Sequence, residues 1–180
     1  GGKRIQIFNN DKMRSSLTSL NEEMTPLLVD FNPYFRTFNV LTKHDLRIYD
    51  AYTGKLRKVL TDLQDEHLAA DVTTYQIGPR LRKFFVADNA GLCRLYNMKN
   101  GELIENVIEL SDIKKNIQNN TKLKKKSNEI TQLIYCEDQK ILITVSCESV
   151  VRVYEAKDGE GFNLLRVLKY VLLKGQRRAR

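Results

Sequence analysis

Few residues of this chain have the type and spacing that chemistry needs. It contains two histidines, His44 and His67, and three cysteines, Cys93, Cys136 and Cys147. Structural zinc needs four N or S ligands, usually in close local pairs, and a redox pair needs C-x-x-C. Neither pattern occurs, so the histidines read as structural residues and the cysteines as free thiols of a reducing compartment. The acids of Asp62-Leu63-Gln64-Asp65-Glu66 lack the sixth-position Gly and twelfth-position Glu of a calcium loop. Asp158-Gly159-Glu160-Gly161 reads as a turn. No G-x-S-x-G, P-loop or G-x-G-x-x-G is present. The expectation is a protein that is not an enzyme, with no cofactor, no metal and no catalytic residue.

Charge is the next candidate for function. The net charge is +8. Lys114, Lys115, Lys122, Lys124, Lys125 and Lys126 follow one another with no acid between them and account for all but two of those charges. The remaining chain is near balance, so the basicity does not describe a nucleic-acid-binding fold. The segment 112–127 reads as an insertion loop whose lysines could meet an acidic partner surface. No apolar run approaches the ~18 residues of a membrane helix, and the first residues lack the apolar stretch of a signal peptide.

The elements that would position such residues repeat. Leu46-Arg47-Ile48-Tyr49-Asp50 is followed by Gly54, Cys93-Arg94-Leu95-Tyr96-Asn97 by Gly101, and Val151-Arg152-Val153-Tyr154-Glu155 by Gly159. A fainter copy, Ile5-Gln6-Ile7-Phe8-Asn9, opens the chain. The anchor aromatics Phe8, Tyr49, Tyr96 and Tyr154 lie 41, 47 and 58 residues apart, the last interval containing the lysine-rich insertion. Within each copy two side-chain types alternate, as on a strand with two different faces. The Gly that follows marks a turn. Apolar strands are expected upstream at 27–31 and 35–42, 72–77 and 83–87, and 130–136 and 141–146. A last strand is expected after each turn, at 56–60, 103–108 and 162–168. Four antiparallel strands per repeat make one propeller blade. The tyrosines then read as packing residues between neighbouring blades, not as a platform for bases.

These residues resemble the WD-repeat family, whose signature is a Trp-Asp pair closing the third strand. Tyr49-Asp50 keeps the Asp, while Tyr96-Asn97 and Tyr154-Glu155 keep only the character of the pair. In the preceding turn Glu148 stands in the place of the family Asp, and Asp88-Asn89-Ala90-Gly91 is a looser version. His67 falls near the family His but no Gly precedes it, so the family's side-chain network is mostly missing. The likeness covers about residues 3 to 170. Phe31-Asn32-Pro33-Tyr34-Phe35, Tyr49 to Leu56 and Arg82 to Gly91 also resemble large WD-repeat proteins of cilia and flagella, some of which carry EF-hands.

The resemblance implies an all-β fold, a partial WD-type β-propeller of about three complete four-stranded blades plus the outer strands of another. Its divisions are 1–20 for those outer strands, 21–64, 65–111 and 128–170 for the blades, 112–127 for the insertion, and 171–180 for a basic tail or the start of a next blade. Because the chain starts without Met and inside a blade, a piece of a longer protein is expected. The function implied is a scaffold that binds other proteins, tubulin or axonemal subunits among them, in the cytoplasm at a ciliary axoneme. The alternative is a propeller subunit of an RNA-associated complex such as a ribosome-biogenesis assembly, with a nuclear location.

Overall fold

Strict alternation of side chains between two faces organises this chain into strands. The computed structural model describes residues 5–9, 12–17, 25–61, 63, 70–109, 128–147, 149–157 and 160–169, the first two stretches by backbone alone. Strands β1 (Ile5–Asn9) and β2 (Lys12–Leu17) form an antiparallel hairpin. Strands β3 (Leu28–Asn32), β4 (Thr37–Leu41), β5 (Leu46–Asp50) and β6 (Leu56–Leu60) form the first four-stranded sheet in sequential order. The second sheet is β7 (Val72–Ile77), β8 (Lys83–Asp88), β9 (Cys93–Asn97) and β10 (Leu103–Ile108). The third is β11 (Ile130–Cys136), β12 (Ile141–Ser146), β13 (Val150–Lys157) and β14 (Gly161–Lys169). All pairings are antiparallel meanders, and a short 3₁₀ turn at Pro79–Leu81 joins β7 to β8. The described fold is therefore all-β.

The sheets fall within the windows 21–64, 65–111 and 128–170, and the insertion 112–127 and the tail 171–180 lie outside the described residues. Strand limits differ from expectation where the backbone turns. Phe35 and Arg36 belong to the β3–β4 turn, with Arg36 at φ +52°, so β4 starts at Thr37. The last strand, β14, is longer at both ends than the expected 162–168.

The three sheets match residue for residue. Tyr49, Tyr96 and Tyr154 each lie on the third strand, opposite Phe38, Phe84 and Leu142 of the second and Leu56, Leu103 and Leu164 of the fourth. Phe38 stacks on Tyr49 at 4.9 Å between centroids, and Phe84 on Tyr96 at 5.4 Å. Two residues beyond each Tyr, the amides of Ala51, Met98 and Ala156 donate to the carbonyls of Arg36, Arg82 and Lys140 at 3.1, 2.9 and 2.8 Å. The fourth strand is bulged opposite each Tyr, leaving Arg57, Ile104 and Leu165 without a partner residue. A bulge raises the local twist. The same shift separates Ile7 from Phe8 in the β1–β2 hairpin, where Arg14 is the extra residue.

The core lies between the sheets. Leu41, Leu46, Ile48 and Leu60 of the first sheet pack on Tyr75, Ile77, Phe84, Val86 and Tyr96 of the second. Phe85, Ala87, Cys93 and Leu95, on the opposite face of the second sheet, pack on Leu133, Leu142 and Tyr154 of the third. Phe84 and Phe85 are successive residues on opposite faces of β8, and both are 0% exposed. Burying a side chain of this size contributes about 1.5–3 kcal/mol over leaving it in water. The first strands β7 and β11 of adjacent sheets pack side by side, where the Thr73 hydroxyl donates to the Ile130 carbonyl at 2.5 Å.

Candidate functional site

The repeat residues are built into turns. Asp50 Oδ1 accepts the amides of Tyr52 (2.9 Å) and Thr53 (2.7 Å) and the Thr53 hydroxyl (3.0 Å), closing the β5–β6 turn. Its other oxygen takes the guanidinium of Arg57, the bulged residue of β6. The Thr53 amide, then Arg57, hold the Asp50 carboxyl well below its usual range. Asn97 Oδ1 accepts the Lys99 amide at 2.9 Å in the next sheet. Gly54 and Gly101 sit at φ +69° and +82°, the left-handed conformation these turns require. In the third sheet Glu155 lies on β13, Gly161 adopts φ +76°, and Gly159 and Glu148 lie outside the described residues. Phe8 is on β1, and only its backbone is described.

Two of the arginines that stand two places before a repeat Tyr, Arg47 and Arg94, form ion pairs. Arg47 Nη2 donates to Asp45 Oδ2 at 2.9 Å, and the Thr42 hydroxyl donates to Asp45 Oδ1 at 2.7 Å. The hydrogen bond to Asp45 raises the Arg47 pKa above its ordinary value against the opposing effect of burial. Arg94 reaches Asp88 Oδ2 at 3.5 Å and the Leu63 carbonyl at 3.2 Å, and the Tyr96 hydroxyl donates to that same carbonyl at 3.3 Å. Asp88 Oδ1 accepts the amides of Ala90 (3.0 Å) and Leu92 (2.9 Å), closing the β8–β9 turn. Burial is the largest influence on Asp88 and pushes its carboxyl up, although the amides and Arg94 oppose it. The residue flagged by the looser turn match, Asp88, therefore anchors a buried ion pair. In the first sheet Asp45 pairs with Arg47 in a half-buried position, and the spacing Asp45-Leu46-Arg47 is its only trace in the sequence.

The seams between sheets carry the groups that sequence reading missed. At the first seam Asn32 Nδ2 donates to the Leu81 carbonyl at 2.8 Å, Lys58 Nζ to the Lys99 carbonyl at 3.0 Å, and Arg82 lies 4.6 Å from the centre of the Tyr34 ring. At the second seam Glu137 Oε2 accepts the Arg80 amide at 2.9 Å, and Glu105 Oε1 accepts the Phe162 amide at 2.9 Å. Lys58 and Glu105 are equivalent, being paired with Ile48 and Leu95, each one residue before the Tyr. The second seam opens into a cleft of about 640 Å³. Leu95, Ile104, Tyr135 and Phe162 give it an apolar floor, and Arg80, Arg82, Lys83, Lys140 and Lys157 line it with cations. Its residues are scattered over two turns and six strands, so no local motif announces it.

Among the described residues the histidines and cysteines do not gather at this cleft. His44 sits in the β4–β5 turn, His67 lies outside the described residues, Cys93 is buried and its thiol is pushed up by desolvation, and Cys147 is exposed. Among the described residues no three His, Cys, Asp or Glu side chains converge as a metal site. The six lysines 114, 115, 122, 124, 125 and 126 lie outside the described residues. No protein-family model matches the chain, and no curated protein is significantly similar to it.

Proposed function

We propose that the chain is an arc of degenerate WD-type propeller blades and that the protein is a non-enzymatic scaffold for other proteins. The observation that carries this reading is the bulge opposite Phe8, Tyr49, Tyr96 and Tyr154, the same irregularity in four hairpins. Such a device repeats only if each sheet must twist alike to meet its neighbour. The third sheet supports the reading further. Its outward face, with Ile143, Val145 and Val153 half-buried and Ile134 at 43% exposed, is the equivalent of the face by which the second sheet covers the third. A further blade fits there, and Arg166, the equivalent of Lys58 and Glu105, stands ready to reach it.

The scaffold belongs to a microtubule-based assembly, the ciliary or flagellar axoneme, where Lys114, Lys115, Lys122, Lys124, Lys125 and Lys126 assist docking on the acidic tails of tubulin. Counter-charges on tubulin relieve their mutual repulsion, strongly at low salt and weakly beyond the ~8 Å Debye length of physiological buffer. The six lysines changed to Gln should lower co-sedimentation of the full-length protein with microtubules at low salt and leave the sheets intact by circular dichroism. Equal sedimentation before and after, at low and moderate salt, would remove the loop from the docking mechanism. Displacement of the wild type from microtubules by RNA at low concentration would instead favour an RNA-associated assembly.

A further inference from the structure

The cleft at the second seam has the make-up of a ligand site, apolar side chains lined by more cations than acids. Its volume, about 640 Å³, lies within the range of ligand pockets, ~300–1,000 Å³. Both of its acids are committed to backbone amides, Glu137 to Arg80 and Glu105 to Phe162. Arg82 leans on Tyr34 outside the cleft, and Lys157 makes only a 3.8 Å contact with exposed Glu160. Arg80 and Lys83 have no acidic partner among the described residues. Arg80 and Leu81 both adopt the left-handed conformation, at φ +54° and +56°, although neither is Gly. Strain of this kind persists where the surroundings hold it and tends to gather at binding sites.

We propose that this cleft binds a short acidic segment of another protein, its carboxylates at the cationic rim and an apolar side chain on the floor. The inference rests on the scaffold reading and names the chemistry of one partner. A nucleic-acid strand fits less well. Tyr135 and Phe162 already pack on Phe85, at 5.3 and 5.4 Å, so they form a floor and not a stacking platform for bases. Glu105 and Glu137 in the walls would also repel a continuous run of phosphates, while carboxylates at alternate residues can avoid them.

The test is fluorescence anisotropy on the full-length protein with a labelled peptide alternating Glu and Leu, against the same peptide with Gln for Glu and a poly-uridine RNA of matched charge. The Glu peptide should bind and the Gln peptide should not. The combined variant Arg80→Gln, Lys83→Gln, Lys157→Gln should weaken binding about tenfold, and Lys99→Gln, outside the cleft, should leave it unchanged. Ile104→Glu, which puts a carboxylate on the half-exposed floor, should abolish binding and serves if the combined variant misfolds. Peptide binding equal in wild type, combined variant and Ile104→Glu overturns the proposal, as does RNA binding tighter than peptide and lost in the combined variant. If the peptide does not bind while the protein still co-sediments with its assembly, the cleft assignment falls and the scaffold reading stands. If co-sedimentation fails as well, both fall.

Discussion

Two tyrosines of the same seam show how a single hydroxyl divides between use and burden. Tyr96 donates to the Leu63 carbonyl, so Tyr96→Phe should cost about 1 kcal/mol. Tyr75 is buried with its hydroxyl near Asp30 and Asn39, yet among the described residues no acceptor meets it in hydrogen-bonding geometry, and desolvation drives its phenol pKa up. Tyr75→Phe should therefore lie within about 0.5 kcal/mol of wild type, or above it. Urea denaturation of both variants checks the contrast. Asp50 provides a pH test. Its folded pKa is below the ordinary 3.8, so its stabilisation is complete above that value and is lost as pH falls through the folded value. Asp50→Asn should be less stable than wild type at neutral pH, and the gap should narrow steadily below the ordinary carboxylate range, as followed by denaturation midpoints from pH 7 to pH 2.

At the scale of the element, the turns after Tyr49 and Tyr96 were readable because they depend on local chemistry. Gly101 is the clearest case. It holds φ +82°, and a Cβ there would stand 2.9 Å from Leu60 Cδ2 of the neighbouring sheet. Gly101→Ala should destabilise by about 1–3 kcal/mol, from the strained φ and the crowded Leu60 together. Thermal unfolding of that variant beside an Ala change at exposed Asn100 separates turn strain from a general loop effect. The fourth-strand bulges left no such local trace, because Arg57, Ile104 and Leu165 share no residue type.

For the whole molecule, equivalent positions differ only in what covers them. Ile48 and Leu95 are 6% and 2% exposed between sheets, whereas Val153, at the same place in the third sheet, is half-buried. Leu95→Lys should unfold the chain, since a charge buried without a partner costs several kcal/mol. Val153→Lys should cost no more than about 1 kcal/mol. It should also lower self-association of the chain expressed alone, because Leu165 and Leu168, at 55% and 50% exposed, extend the apolar face. Size-exclusion chromatography with light scattering measures this directly. An unchanged association would mean that another surface drives it.

The sequence by itself determined the strands, their order, the repeat and the turns. These depend on period-two alternation, on Gly and Asx chemistry within five residues of Tyr49 and Tyr96, and on spacing, all of which are local. Asp50 could be singled out because its partners at 52, 53 and 57 are its neighbours along the chain. Only the tertiary structure decided the rest. The ion pair of Asp88 and Arg94 on the Leu63 carbonyl, the Asn32 and Glu105 seam contacts and the cationic cleft join residues up to 57 positions apart. Which residues meet across a seam depends on how far each sheet twists and which face it turns to the next. Those quantities arise from packing two sheets together, and no single strand encodes them.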